Sequence, residues 1–193
     1  FYCKQHEDGE ICREIDRTTG RDFTEWVNRE GAPLFSRWGW NEAGAGPVVY
    51  TGRPAPEPPP RLTLDGLNHP IFAWAELDSY RVTGDARRLA LVYEPLAKYR
   101  AALRKYLRQG NGLYMTDWAS MDNSPRNPFL KGGGCGIDIS AQMALFARQL
   151  AEIATIIGRD AEAREPEAEA RELAARINDL MWDPTRKFYF DLT

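Results

Sequence analysis

"DISAQMALFARQLAEIATIIGRD", residues 138–160, decides the fold. Within it Met143, Phe146, Leu150, Ile153 and Ile157 recur at three- and four-residue steps. That spacing puts one apolar face on a helix from about Ser140 to Ile157. Gly158-Arg159-Asp160 then interrupts the pattern, and a second helical pattern runs on to about Trp182. It carries Leu173, Ile177 and Leu180 in register, with Pro166 near its start. A connector this short forces the two helices to fold back as an antiparallel hairpin.

The same layout occurs once earlier. A shorter helix over Pro70 to Thr83 presents Ile71, Trp74, Ala75 and Leu77. After "TGD" a longer one runs from about Asp85 to Gln109, with Leu89, Val92, Leu96, Tyr99, Leu103 and Tyr106 on one face. Pro95 lies inside it, which predicts a kink or break, because proline removes an N–H from the helical ladder. Each pair reads as an apolar inner helix, a tight turn and a more charged outer helix, and long loops join one pair to the next. This is a two-helix repeat with short turns at one rim and long loops at the other. The fold class is all-α. Two hairpins do not close a ring, so the expectation is a section of a longer helical barrel.

Outside the hairpins, "RPAPEPPP" (53–60) reads as a stiff extended crossing. "WDPTRKFYFD" (182–191) reads as a turn inside a short β-hairpin. "EDGEICREID" (7–16) opens either a loop or a short strand.

Bulk properties narrow the function classes. The 193 residues are 43% hydrophobic and 27% charged, a soluble globular balance. A net charge of −3 supplies no electrostatic footprint for nucleic acid or for an anionic membrane. No apolar run is long enough to span a bilayer. Cys3, Cys12 and Cys135 have no metal-site spacing and are odd in number. They argue against a disulfide framework or a zinc site and lean towards a reducing, cytoplasmic setting. No metal or cofactor is expected. Oligomeric state is not encoded in any pattern.

Chemistry-bearing residues concentrate in "DWASMDNSPRN" (117–127), in the long loop from Gly110 to Ile137. Loops on one rim of a rigid scaffold are where catalytic groups gather. Asp122 lies beside Met121 and four residues from Trp118. An acid against apolar and aromatic surface has its charged form disfavoured, which suits a general acid. Asp-Asn-Ser-Pro is also strong turn chemistry, so a loop cap is the plain alternative. Arg126 either grips a sugar hydroxyl or carboxylate, or braces Asp122 or Asp117. Asp138 reads as an N-cap or first-turn acid rather than a catalyst. "HEDGE" (6–10) lacks a second histidine, and "KGGGCG" (131–136) lacks the residues of a phosphate loop. Cys135 has no partner base, and "DAEAREPEAEARE" (160–172) reads as a solvated outer face.

Taken together, "SMDNSPR" (120–126), "EDGEICREI" (7–15), "NHPIFAWAELDSYRVTGD" (68–85), "GNGLY" (110–114), the stretch 138–160 and "MWDPTRKFYFD" (181–191) resemble, in order, segments of glycoside hydrolase family 63. The likeness extends to its trehalase-like and mannosylglycerate hydrolase-like relatives and spans most of residues 5 to 191. The resemblance implies an (α/α)6 barrel that hydrolyses α-linked glucosides or mannosides with inversion. Residues 1–193 would be part of the catalytic domain, with N- and C-terminal parts of the barrel missing. By motif position Asp122 is the general acid. Asn123 and Arg126 hold the sugar, and Trp118 walls the pocket. Asn68-His69-Pro70 stands where the family carries Gln-Pro-Pro, which makes Asn68 and His69 the polar contacts there. The general base is a glutamate expected beyond Thr193. Two alternatives stay open: a trehalase or debranching-type glucosidase of the same fold, and a non-catalytic carbohydrate-binding toroid.

Overall fold

The structure is a computed structural model that describes residues 69–115 and 134–192, together with residues 1–7, 9, 11, 15, 17, 18 and 20. Contacts divide the chain into two units, of which the larger comprises His69–Met115 and Cys135–Leu192. In the other unit a short 3₁₀ turn, Tyr2–Lys4, precedes the fully buried Ile11. The larger unit contains α1 (Phe72–Thr83), α2 (Ala86–Leu107), α3 (Ile137–Ile156), α4 (Asp160–Met181) and the strands β1 (Trp182–Asp183) and β2 (Phe188–Tyr189).

Local chemistry accounts for the tight turns. α1 ends on Gly84, whose left-handed φ of 69° lets its N–H reach the Tyr80 carbonyl. Asp85 then caps α2 by accepting the Arg87 N–H at 3.0 Å. Gly158 repeats the left-handed geometry, with φ 78°, before α4. Asp160 and Glu162 there place negative charge on the first turn, where the helix dipole favours it.

Two sets of cross-links show how the hairpins stand side by side. Between α2 and α4, Arg159 pairs with Glu94, Arg100 with Glu165, Arg108 with Glu172, and Arg176 with the Asn111 carbonyl. The partner numbers rise together, so the two outer helices run parallel. His69 bonds Gln142 and Arg81 bonds Glu152, so α1 and α3 are parallel as well. Inner beside inner and outer beside outer, all in one sense, is the repeat of an α/α toroid. The fold is a mostly helical section of that architecture, closed by a small antiparallel β-hairpin pairing Trp182 with Tyr189.

The core follows the predicted stripes. Leu89, Val92, Leu96, Tyr99 and Leu103 of α2 meet Met143, Phe146, Leu150 and Ile153 of α3, and all are buried. The Tyr99 ring lies 6.0 Å from Phe72 and 6.1 Å from Phe146, tying three helices together. Each fully buried Leu or Ile side chain contributes about 1.5–3 kcal/mol relative to exposure.

Four sequence expectations are corrected. At its N-cap and along α1, Ile71, Trp74 and Ala75 are exposed, and the buried face is Ala73, Glu76 and Leu77. The shift has a cause: Arg88 grips Glu76 with bonds of 2.5 and 2.7 Å, so this acid faces inward. Leu180 is exposed and Met181 takes the buried place at the end of α4. Of the kink or break expected at Pro95, the break does not occur, since α2 runs through it as one helix. The carbonyl that Pro95 leaves without its helical donor is that of Leu91, a residue 79% exposed, where solvent can replace the bond. Finally, residues 160–172 are not wholly a solvated face, because Glu169 is only 4% exposed. It receives hydrogen bonds from Arg100 at 2.8 Å and from the Tyr114 hydroxyl at 2.9 Å.

Candidate active site

The tight connectors at Gly84 and Gly158 sit at one end of the hairpins. The opposite end therefore gathers the N-termini of α1 and α3, the C-termini of α2 and α4, and the long connections between hairpins. His69, Tyr114, Met115, Cys135, Asp138 and the β-hairpin all belong to this long-loop rim.

Met115 and Cys135, the residues that flank 116–134 in the sequence, meet at this rim. They form an antiparallel bridge, so the chain leaves and re-enters the rim at adjacent points. On the entry side, the Met115 N–H bonds the Leu107 carbonyl at 3.0 Å. The Tyr114 N–H bonds Ser140 Oγ at 3.1 Å, and the Tyr114 hydroxyl donates to Glu169. Burial, followed by the charge and hydrogen bond of Glu169, pushes this phenol far above its ordinary range. It is a neutral donor at any physiological pH.

The exit side is stapled by the last residues of the β-hairpin. Cys135 and Leu192 exchange two backbone hydrogen bonds of 2.7 and 3.0 Å. Asp191 accepts the Ile137 N–H at 2.9 Å, satisfying the first turn of α3, where Gly136 at the cap position has no side chain to do so. α3 consequently begins at Ile137, three residues before the sequence pattern suggests. Asp138 occupies the first turn, as expected. Leu113, Cys135, Ile177 and Met181 pack beneath this junction, so Cys135 is a buried packing residue.

Of the predicted site residues, His69 is described, half-buried, with Nδ1 2.9 Å from Gln142 Oε1. Asp122, Trp118, Asn123, Arg126 and Asn68 lie outside the described residues. So do the proline-rich stretch 53–60 and most of residues 7–16. Sequence reasoning passed over Gln142, Asp191, Ser140 and Glu169. A signal existed only for Asp191, as an acid closing "FYFD" after a turn. The other three look like ordinary helix residues. Among the described residues no cluster of three or more His, Cys, Asp or Glu is placed to hold a metal ion. No described helix is long and apolar enough to cross a membrane.

The family model described as the mannosylglycerate hydrolase MGH1-like glycoside hydrolase domain matches residues 63–193. The chain belongs to this MGH1-like family. The match covers both hairpins, the rim between them and the β-hairpin, and it bears out the resemblance read from the sequence. An uncharacterized protein of Borreliella burgdorferi is 31% identical to the MGH1-like chain over 130 residues, covering 66% of this chain and 27% of that protein. The MGH1-like chain thus spans little more than a quarter of that relative's length.

Proposed function

We propose that this MGH1-like chain carries the general-acid section of an inverting α-glycosidase. Asp122 protonates the departing glycosidic oxygen. Asn123 and Arg126 hold sugar hydroxyls, Trp118 stacks against the ring, and Asn68 and His69 supply further polar contacts. Residues 1–193 are then one portion of an (α/α)6 catalytic domain. The base that activates water is a carboxylate supplied from elsewhere in the whole protein. Inversion requires that the two carboxyl groups stand roughly 6.5–9.5 Å apart, leaving room for that water.

The observation that carries this reading is the Met115–Cys135 bridge at the rim where both inner helices begin. The bridge pairs the two residues that flank 116–134 in the sequence, with Tyr114 and Asp191 as neighbouring fixings. Precise placement of a proton donor calls for such rigid support, because a misplacement of about 1 Å can cost about 10²-fold in rate. Family membership supplies the substrate class, an O-glycoside.

The test is hydrolysis of aryl α-mannosides and α-glucosides by the full-length protein, followed by proton NMR of the first product formed. The proposal expects the β-anomer to appear first. Initial release of the α-anomer would mean retention and would contradict it.

A further inference from the structure

On the glycosidase reading above, we propose that His69 and Gln142 form a sugar-hydroxyl recognition pair, in which Gln142 is the positioning residue that sets the polarity of the His69 ring. The two residues meet at the long-loop rim, where the adjacent parallel inner helices begin. His69 immediately precedes the first turns of α1, and Gln142 lies in the second turn of α3.

The chemistry follows from which atoms touch. His69 Nδ1 lies 2.9 Å from Gln142 Oε1. An amide oxygen only accepts, so Nδ1 carries the proton and donates it. In the neutral ring Nε2 is then left with its lone pair, because the bond made by one ring nitrogen fixes the state of the other. Among the described residues nothing else hydrogen-bonds to the His69 ring or to the Gln142 amide. The pair therefore offers one free acceptor, His69 Nε2, beside the free amide N–H groups of Gln142.

An acceptor and a donor side by side match neighbouring hydroxyls of a pyranose, each of which can both donate and accept. Both side chains are half-buried, which limits competition from solvent while leaving the pair reachable. Without Gln142 the ring could carry its proton on either nitrogen, and Nε2 could present a donor where the sugar needs an acceptor.

The polarity is testable with fluorine. A C–F group can accept weakly but cannot donate, so replacing the hydroxyl that donates to Nε2 removes that contact. Methyl α-mannoside and methyl α-glucoside, and their monofluoro analogues, would be titrated calorimetrically into the full-length protein and into Gln142→Met. In the wild type one fluorinated position should bind up to about ten-fold more weakly than the parent sugar. In Gln142→Met the parent should lose a similar factor, and the penalty at that position should disappear. A purely structural latch between α1 and α3 leaves the pattern of fluorine penalties unchanged, and that result would overturn the proposal.

The tautomer provides a check that needs no ligand. In ¹⁵N-histidine-labelled full-length protein, the His69 signals, identified by their loss in His69→Asn, should report the Nδ1–H form. An Nε2–H form would overturn the proposal whatever the sugars do. If the wild type hydrolyses α-glycosides but its fluorine pattern survives Gln142→Met, the pair's role fails and the glycosidase reading stands. Absence of both hydrolysis and sugar binding would sink the two together.

Discussion

The hydroxyl of Tyr114 donates to the carboxylate of Glu169 at 2.9 Å, joining the residue that leads into the Asp122 segment to the middle of an outer helix. Glu169 is also gripped by Arg100, through contacts of 2.6 and 2.8 Å, and by Arg104 at 3.2 Å. Both Glu169 and Arg100 are buried, at 4% and 6% exposure, so neither charge has water to fall back on.

The two partners should therefore respond unequally to substitution. Tyr114→Phe removes one hydrogen bond to a charged group and should cost about 1.5–3 kcal/mol of stability. Glu169→Gln leaves the buried Arg100 charge without full compensation and should cost about 3–5 kcal/mol. Thermal or chemical unfolding of the full-length protein checks the order. Equal costs would mean that the arginines, and not the buried charge balance, dominate.

Acid should loosen the contact between the outer helices. Partial burial pushes the Glu165 carboxyl up, but hydrogen bonds from Arg100 and Arg104 and their charges outweigh it and hold it below its ordinary 4.5. Hydrogen bonds from Arg176 and Arg108 hold Glu172 below the same value. A depressed carboxyl stabilises the fold above its unfolded value and loses that contribution as pH falls through the folded one. These two groups should leave unfolding insensitive to pH near neutrality and weaken the fold below 4.5. Glu165→Gln should flatten that acid limb in a pH series of melting curves.

In alkali the sign reverses. Burial, followed by the charge and hydrogen bond of Glu162, pushes Tyr93 up to about 12 from 10.0. Tyr114 is displaced further in the same direction. A raised tyrosine favours the folded state below 10.0 and ceases to do so as pH rises through the folded value. Absorbance titration at the phenolate band should show a late step near pH 12, lost in Tyr93→Phe.

Glycines at the turns give a further contrast. Gly84 has φ 69° with open space around it, so Gly84→Ala should cost about 1–2 kcal/mol, all of it backbone strain. Gly112 has φ 86°, and a Cβ there would meet Arg176 Nε at 2.7 Å. Arg176 also holds Glu172 at 2.8 Å and the Asn111 carbonyl at 2.9 Å, so it cannot yield freely. Gly112→Ala should be the more damaging, and should fall towards the Gly84→Ala cost in an Arg176→Ala background.

Both hairpins were legible in the sequence because apolar periodicity and Gly-Asp or Gly-x-Asp punctuation are local signals. What escaped was non-local. Glu76 turns inward because Arg88 reaches it from the next helix, and no stripe reveals that. Glu169 sits in a run of charges that looks solvated until a parallel outer helix brings three arginines against it. α3 starts early because Asp191 arrives from fifty-four positions away in the chain to accept its first N–H. For the site, the motif around Asp122 is read from the sequence alone, because it lies outside the described residues. The Gln142 contact to His69 depends on helix adjacency and was invisible.

The central claim is that Asp122 gives a proton to the leaving group, and leaving-group dependence tests it most directly. Wild-type and Asp122→Asn full-length protein would be compared on a methyl or alkyl α-glycoside and on the matching α-glycosyl fluoride. An alkoxide must be protonated to depart, whereas fluoride needs far less help. Loss of general-acid catalysis should lower kcat on the alkyl substrate by about 10²–10⁴-fold. On the fluoride, turnover should stay within a few-fold of wild type, and the melting temperature should be unchanged. Equal loss on both substrates, or no loss on either, would contradict the assignment of Asp122 as the general acid.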